Sequence, residues 1–180
     1  NEYIIEAIDK LKDSFDVDFL LLGNIKNDEV IDILQNRADI LVEKLVGPAY
    51  ALSAIEGMAA GLAVVGTVNN PDWKDLCKVF SRYAFLDECP IVSASPETIF
   101  SVLQKLCSDH ELIHKLGSAG QSYVRKYHSY DASVDIFGKI HSNIRHPKDG
   151  IELNNYYHPI IGDFHKGKTK ITNPLSEESL

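Results

Sequence analysis

Cysteine is scarce and ill-placed for cross-linking. The 180-residue chain holds three, Cys77, Cys89 and Cys107, an odd number without CxxC spacing, which argues against both a disulfide framework and a zinc site. A reducing, cytoplasmic setting is the resulting expectation. Basic residues are also short: 18 Lys and Arg stand against 26 Asp and Glu. The net charge of −8 gives no cationic face for a nucleic acid, so no nucleic-acid partner is expected. No apolar run approaches the roughly 20 residues needed to span a bilayer. The amino-terminal stretch NEYIIEAIDKLKDSF intersperses acids through an amphipathic helix and does not read as a signal peptide. Five of the seven histidines follow residue 127, without an HExxH pair, and scattered surface histidines are the simpler reading than a metal site. The GxGxxG dinucleotide fingerprint is missing as well.

What is present is ordinary globular material, 44% hydrophobic and 24% charged, in a chain long enough to bury a core. Residues 1–146 read as one domain. Residues 147–180 read as a tail or strap in which Tyr156, Tyr157, Ile160, Ile161 and Phe164 are the apolar elements.

The chain is organised around VGPAYALSAIEGMAAGLAVV, residues 46–65. An apolar strand, Ile40 to Leu45, enters a Gly47-Pro48 turn; a helix opens near Tyr50 and ends at Gly61, where glycine suits the left-handed cap. Leu62 to Val65 then reads as a buried parallel strand. Leu52, Ile55, Ala59 and Leu62 fall at the spacing of a core stripe. Ser53, Glu56, Gly57 and Ala60 form a second face of small side chains around one carboxylate. The free N–H groups and positive dipole end between Tyr50 and Ser53 suit a phosphate, and Glu56, one turn on, suits a sugar hydroxyl. The plainer alternative is a crossover helix whose Glu56 is solvated or pairs with a lysine.

Elsewhere, Tyr3, Ile4, Ala7, Ile8 and Leu11 predict a first helix, and DFLLLG, residues 18–23, a strand. Asn27 is placed to cap a helix faced by Val30, Ile31, Ile33 and Leu34. Asn69-Asn70-Pro71-Asp72 marks a turn, with Trp73 in the loop beyond it, and Pro90 to Val92 is a short strand. Ser95-Pro96 predicts the start of a helix with Ile99, Val102, Leu103 and Leu106 inward. Ser108 with Glu111 fits a capping box for a helix carrying Leu112, Leu116, Tyr123, Val124 and Tyr127, in which Gly117 and Gly120 interrupt the apolar side. Ser129 caps a last helix to about Asn143, with Val134, Phe137 and Ile140 facing inward. Strands alternating with helices imply an α/β fold: a Rossmann-like, doubly wound parallel sheet with helices on both faces. Because such domains lead with a strand and this chain leads with a helix, a first strand upstream of Asn1 is expected.

The motifs YIIEAIDKLK, FLLLGNIKNDEVIDILQNRADILVEKL, YALSAIEGMAAGLAVV, PIVSASPETIFSVLQKL and DHELIHKLGSAGQSYVRKYHS, in this order over residues 1–145, resemble the carboxyl-terminal, donor-binding domain of a GT-B glycosyltransferase of the retaining family 4, or group 1, kind. The resemblance implies that Glu56 hydrogen-bonds the ribose of a nucleotide diphosphate sugar. It implies further that Tyr50, Ala51, Leu52 and Ser53 supply the turn holding the diphosphate, and that Gly23, Asn24 and Ile25 lie near the base. It implies retaining sugar transfer to a glycan or lipid-linked acceptor in polysaccharide or glycoconjugate synthesis, with no obligatory metal or cofactor. The partners it implies are the nucleotide-sugar donor and an amino-terminal acceptor domain absent from this chain, without which turnover is weak or lost. The whole protein would be cytoplasmic, with membrane association through its missing half an open option. The chain departs from the family pattern at Pro48, where many relatives carry an acid eight residues before Glu56, and at Ala51, where a glycine is usual. Those departures motivate the alternative of a degenerate, non-catalytic interaction module.

Overall fold

The computed structural model describes residues 2–47, 50–68 and 88–145. Pro48, the 69–72 turn, Trp73, Cys77 and the 147–180 tail lie outside the described residues.

The described residues form a mixed α/β structure around a three-stranded parallel sheet. Strands β1 (Ile40–Val42), β2 (Ala63–Gly66) and β3 (Val92–Ser93) lie in the order β1-β2-β3. The register pairs Ile40 with Ala63, Val42 with Val65, and Val65 with Val92. The helices are α1 (Glu2–Leu11), α2 (Asn27–Asn36), α3 (Leu52–Ala60), α4 (Ile99–Ser108), α5 (His110–Tyr127) and α6 (Tyr130–Arg145).

The two-residue period of strands divides the core in two. Ile40, Val42, Ala63, Val65 and Val92 pack with α1 and α4 through Ala7, Ile8, Leu11, Ile99, Leu103 and Leu106. The intervening Leu41, Val64 and Ile91 pack instead with Ala54 and Met58 of α3 and Tyr123 of α5. Helix α5 is long enough to serve both cores, contributing Leu112, Ile113 and Leu116 to the first and Tyr123, Val124 and Tyr127 to the second.

The β1-α3-β2 unit forms as its pattern dictates. Gly61 closes α3 at φ 90° and ψ 20°, with Leu62 N–H donating to the Gly57 carbonyl at 3.0 Å and Gly61 N–H to Met58 at 3.1 Å. This is the double hydrogen bond of a Schellman cap. Ser129 caps α6 by accepting from Ala132 N–H at 3.1 Å.

Several expectations need correction. Residues 18–23 form no strand: no described segment pairs with them, and Leu20, Leu21 and Leu22 are exposed, Leu21 by 63%. An apolar run becomes a strand only where its N–H and C=O groups find a ladder. The capping residue of α2 is Lys26, without a side-chain bond, and Asn27 is already helical. Helix α4 begins at Ile99, not at Ser95-Pro96, because the Ser95 hydroxyl donates to the Glu97 carboxylate at 2.6 Å and its N–H donates to Thr98 Oγ1 at 2.9 Å, closing a turn instead. Asp109, not Ser108, caps α5, accepting from Leu112 N–H at 3.0 Å. The Ser108 hydroxyl instead donates back to the Gln104 carbonyl at 2.7 Å. On α6, Val134 and Phe137 point to solvent, while Ala132 is buried.

The core face of α3 is also rotated from the expected stripe. Of that stripe Leu62 is buried and Ile55 packs against the second core, but Leu52 is 66% exposed and Ala59 is exposed, and Ala54, Gly57 and Met58 are buried instead. Close approach explains the choice. A Cβ on Gly57 would lie 2.5 Å from Leu41 Cδ2 and 3.2 Å from Val64 Cγ2, and one on Gly120 would lie 3.1 Å from Met58 Cγ. Gly57 therefore faces the sheet, Met58 fills the space left by Gly120 of α5, and Leu52 is left outside.

Candidate functional site at the opening of helix α3

Strand β1 delivers the chain to the carboxyl edge of the sheet, the edge where open α/β folds bind ligands. The backbone there passes through Gly47 at φ 143°, in the region that favours glycine, and reaches α3 with Ala51 as its capping residue. Ala51 is extended, at φ −109° and ψ −172°, and its methyl group cannot cap the helix.

The turn into the helix is held from the end of β1 instead. Glu43, just beyond the strand, accepts through one carboxylate oxygen, Oε1, from Ala51 N–H at 2.8 Å and from the Ser53 hydroxyl at 3.1 Å. Its own N–H donates to the Val65 carbonyl at 2.8 Å, which fixes the residue between the ends of β1 and β2. The other oxygen, Oε2, is buried and has no hydrogen-bond partner among the described residues. An unsatisfied buried acceptor costs about 1–3 kcal/mol, so this carboxylate holds the turn at an expense to itself. The helical pattern singles out Glu56 as the strong acceptor of this helix and does not single out Glu43. The signal that could have found it is local: an acid at the end of an apolar strand, followed by a helix lacking a capping side chain of its own.

The expected site residues are placed unevenly. Glu56 is exposed on α3, one turn in from the opening. Ala51, Leu52 and Ser53 form the exposed helix start, where the N–H groups of Leu52 and Ser53 have no acceptor within the helix. The Ala51 N–H, by contrast, is already engaged by Glu43. Gly23 and Asn24 lie on the exposed loop that leads into α2, beside half-buried Ile25; Asn24 adopts φ 55°, a left-handed conformation that asparagine tolerates.

The side chain of Tyr50 turns inward. It is 5% exposed, its hydroxyl lies 2.9 Å from the Tyr123 hydroxyl and 3.1 Å from His128 Nε2, and its ring meets both edge-on. Next to it the Tyr127 hydroxyl and Lys126 Nζ both donate to Glu88 Oε2 at 2.6 Å. Burial pushes the Cys89 thiol up to about 11, and burial likewise raises the Tyr123 hydroxyl well above its ordinary value. Burial lowers His128 below its usual 6.5. Tyr50 thus belongs to a polar cluster that pins the turn before α3 to the end of α5, and only its backbone can face a ligand.

The His128 shift has a defined sign. A base with a depressed folded pKa contributes stability above its unfolded value and loses it as pH falls. Urea unfolding followed from about pH 7.5 down to about pH 5 should therefore show declining stability, and His128→Gln should flatten that decline. An equal slope in the variant would show that His128 is not the group responsible.

Among the described residues no group of three or more His, Cys, Asp or Glu side chains is arranged to hold a metal. No described helix is long and apolar enough to cross a membrane. Comparison with family models, with curated proteins and with solved structures finds no match. The α3 opening brings together two backbone donors, the Glu43 carboxylate and an exposed acid one turn on.

Proposed function

We propose that this chain is the donor-binding domain of a retaining glycosyltransferase. It would hold a nucleotide diphosphate sugar at the opening of α3 and complete catalysis only with a second domain that positions the acceptor. The observation that carries the reading is the placement of α3. Its amino terminus follows β1 at the carboxyl edge of a parallel sheet, and Glu56 is exposed one turn along. Leu52 and Ser53 N–H would meet the diphosphate, and the Glu56 carboxylate would accept from the ribose hydroxyls. No metal is needed in this scheme, because the developing charge on the leaving diphosphate is met by fixed backbone dipoles.

Glu43 conditions the site. A diphosphate approaching the helix start meets a carboxylate that already occupies the Ala51 N–H, so part of the binding energy must displace or tolerate that charge. Glu43→Gln keeps the shape and removes the charge. It should tighten uridine or guanosine diphosphate by about threefold to tenfold in calorimetric titration, a gain of roughly 1 kcal/mol. Weaker binding in this variant would mean that Glu43 supports the ligand instead of competing with it.

The reading itself is tested by recording backbone amide resonances while uridine and guanosine diphosphates are added. The shifts should be largest at Leu52 and Ser53 and extend to Glu56. If neither nucleotide perturbs these amides, the donor-site reading is wrong.

One observation favours a second reading. Glu43 occupies the Ala51 N–H and the Ser53 hydroxyl without any ligand and sets a negative charge at the helix opening, as in an interaction module that has lost its substrate. That module would bind no nucleoside diphosphate even as Glu43→Gln.

A further inference from the structure

We infer that the outer face of α6 is a self-association surface, which pairs antiparallel with the same helix of a second copy of this chain. Helix α6 is apolar on two sides. Its inner side, with Ala132 buried and Ile136 and Ile140 half-buried, is the side on which it packs against α5. The outer side carries Tyr130, Val134, Phe137 and Ile144, exposed by 83%, 50%, 66% and 66%, with exposed His141 between the last two. Positions 130, 134, 137, 141 and 144 alternate in steps of four and three. That is the seam spacing of two-stranded helical packing, and a surface helix with one partner needs no second stripe of this kind.

Charge selects the occupant and its direction. The first half of α6 carries Asp131 and Asp135, the second half Lys139 and Arg145. Lys139 is held to Asp135 within the helix at 2.7 Å, which leaves the exposed ends, Asp131 and Arg145, to meet a neighbour. In an antiparallel pair centred on Phe137, Tyr130 comes opposite Ile144 of the second copy, and Asp131 lies two residues, about 3 Å along the axis, from the level of its Arg145, within reach of that long side chain. A parallel pair would set Asp131 against Asp131 and Arg145 against Arg145, placing like charges together. The antiparallel pair is also closed by a two-fold axis, so it stops at a dimer.

Sedimentation of the full 180-residue chain over a concentration series tests this surface independently of any nucleotide. The expected species is a reversible dimer of twice 20.1 kDa. Phe137→Glu should weaken it by about tenfold or more, and it should leave the circular dichroism spectrum and unfolding midpoint in place because the side chain is exposed. Asp131→Arg should weaken the dimer by about twofold to fivefold, and adding Arg145→Asp should restore it. Restoration supports the antiparallel pairing. A chain that remains monomeric near 1 mM, the weak end of measurable association, overturns the inference. So does a dimer indifferent to Phe137→Glu, or a double charge reversal that fails to recover affinity.

Discussion

Replacing Gly117 by alanine is expected to cost about 2 kcal/mol or more of stability, although alanine is the better helix former by about 1 kcal/mol. Helix α5 crosses the end of α3 so closely that a Cβ on Gly117 would collide with the carbonyl oxygen of Gly61. That oxygen cannot retreat, because Gly61 is held in its left-handed conformation by two backbone hydrogen bonds. Overpacking typically costs 1–3 kcal/mol, and backbone against backbone puts this case toward the upper end. For a chain of this size the loss corresponds to a fall of roughly 4–8 °C in Tm. Gly138, on α6, is the control: nothing lies within 4 Å of its would-be Cβ, so Gly138→Ala should gain a few tenths to 1 kcal/mol. If Gly117→Ala melts no lower than the wild type, the close crossing of α3 and α5 is not as described.

The same crossing shows how much of this molecule its sequence reveals. The order β1-α3-β2, the cap at Gly61 and the Ser129 cap are local, each settled by a few adjacent residues, and they were legible. Which side of α3 is buried was legible only in part: Ile55 and Leu62 of the apolar stripe pack inward, whereas Leu52 does not. The decision came from outside the helix. The sheet through Leu41 and Val64 approaches so near that it admits only Gly57, and the missing side chain of Gly120 on α5 makes room for Met58. Gly117 and Gly120 looked like flaws in an amphipathic helix, whereas they are the points of closest contact. Residues 18–23 failed in the opposite sense: the apolar run is there, but strand formation depends on a ladder that the run itself cannot supply. At the helix opening, the exposure of Glu56 was legible from its solitary charge. The contacts of Glu43 were not, because its partners, Ala51 and Ser53, lie eight and ten residues further along the chain. A carboxylate that holds a turn from across it leaves no periodic trace.

The largest functional effect is expected at Glu56. Its carboxylate is exposed, so removing it disturbs no packing, and any loss of affinity in the variant reports on ligand contact and not on folding. A charged acceptor bonded to ribose hydroxyls contributes about 1.5–3 kcal/mol, which is roughly a tenfold to hundredfold change in Kd. Glu56→Gln would retain the shape and a neutral acceptor, and should fall between the two. The decisive measurement is calorimetric titration of uridine and guanosine diphosphates into the wild-type chain and Glu56→Ala. The donor-site account predicts that at least one nucleotide binds the wild type, and binds the variant at least about tenfold more weakly. Equal affinities in the two proteins, or no binding to either, would contradict it.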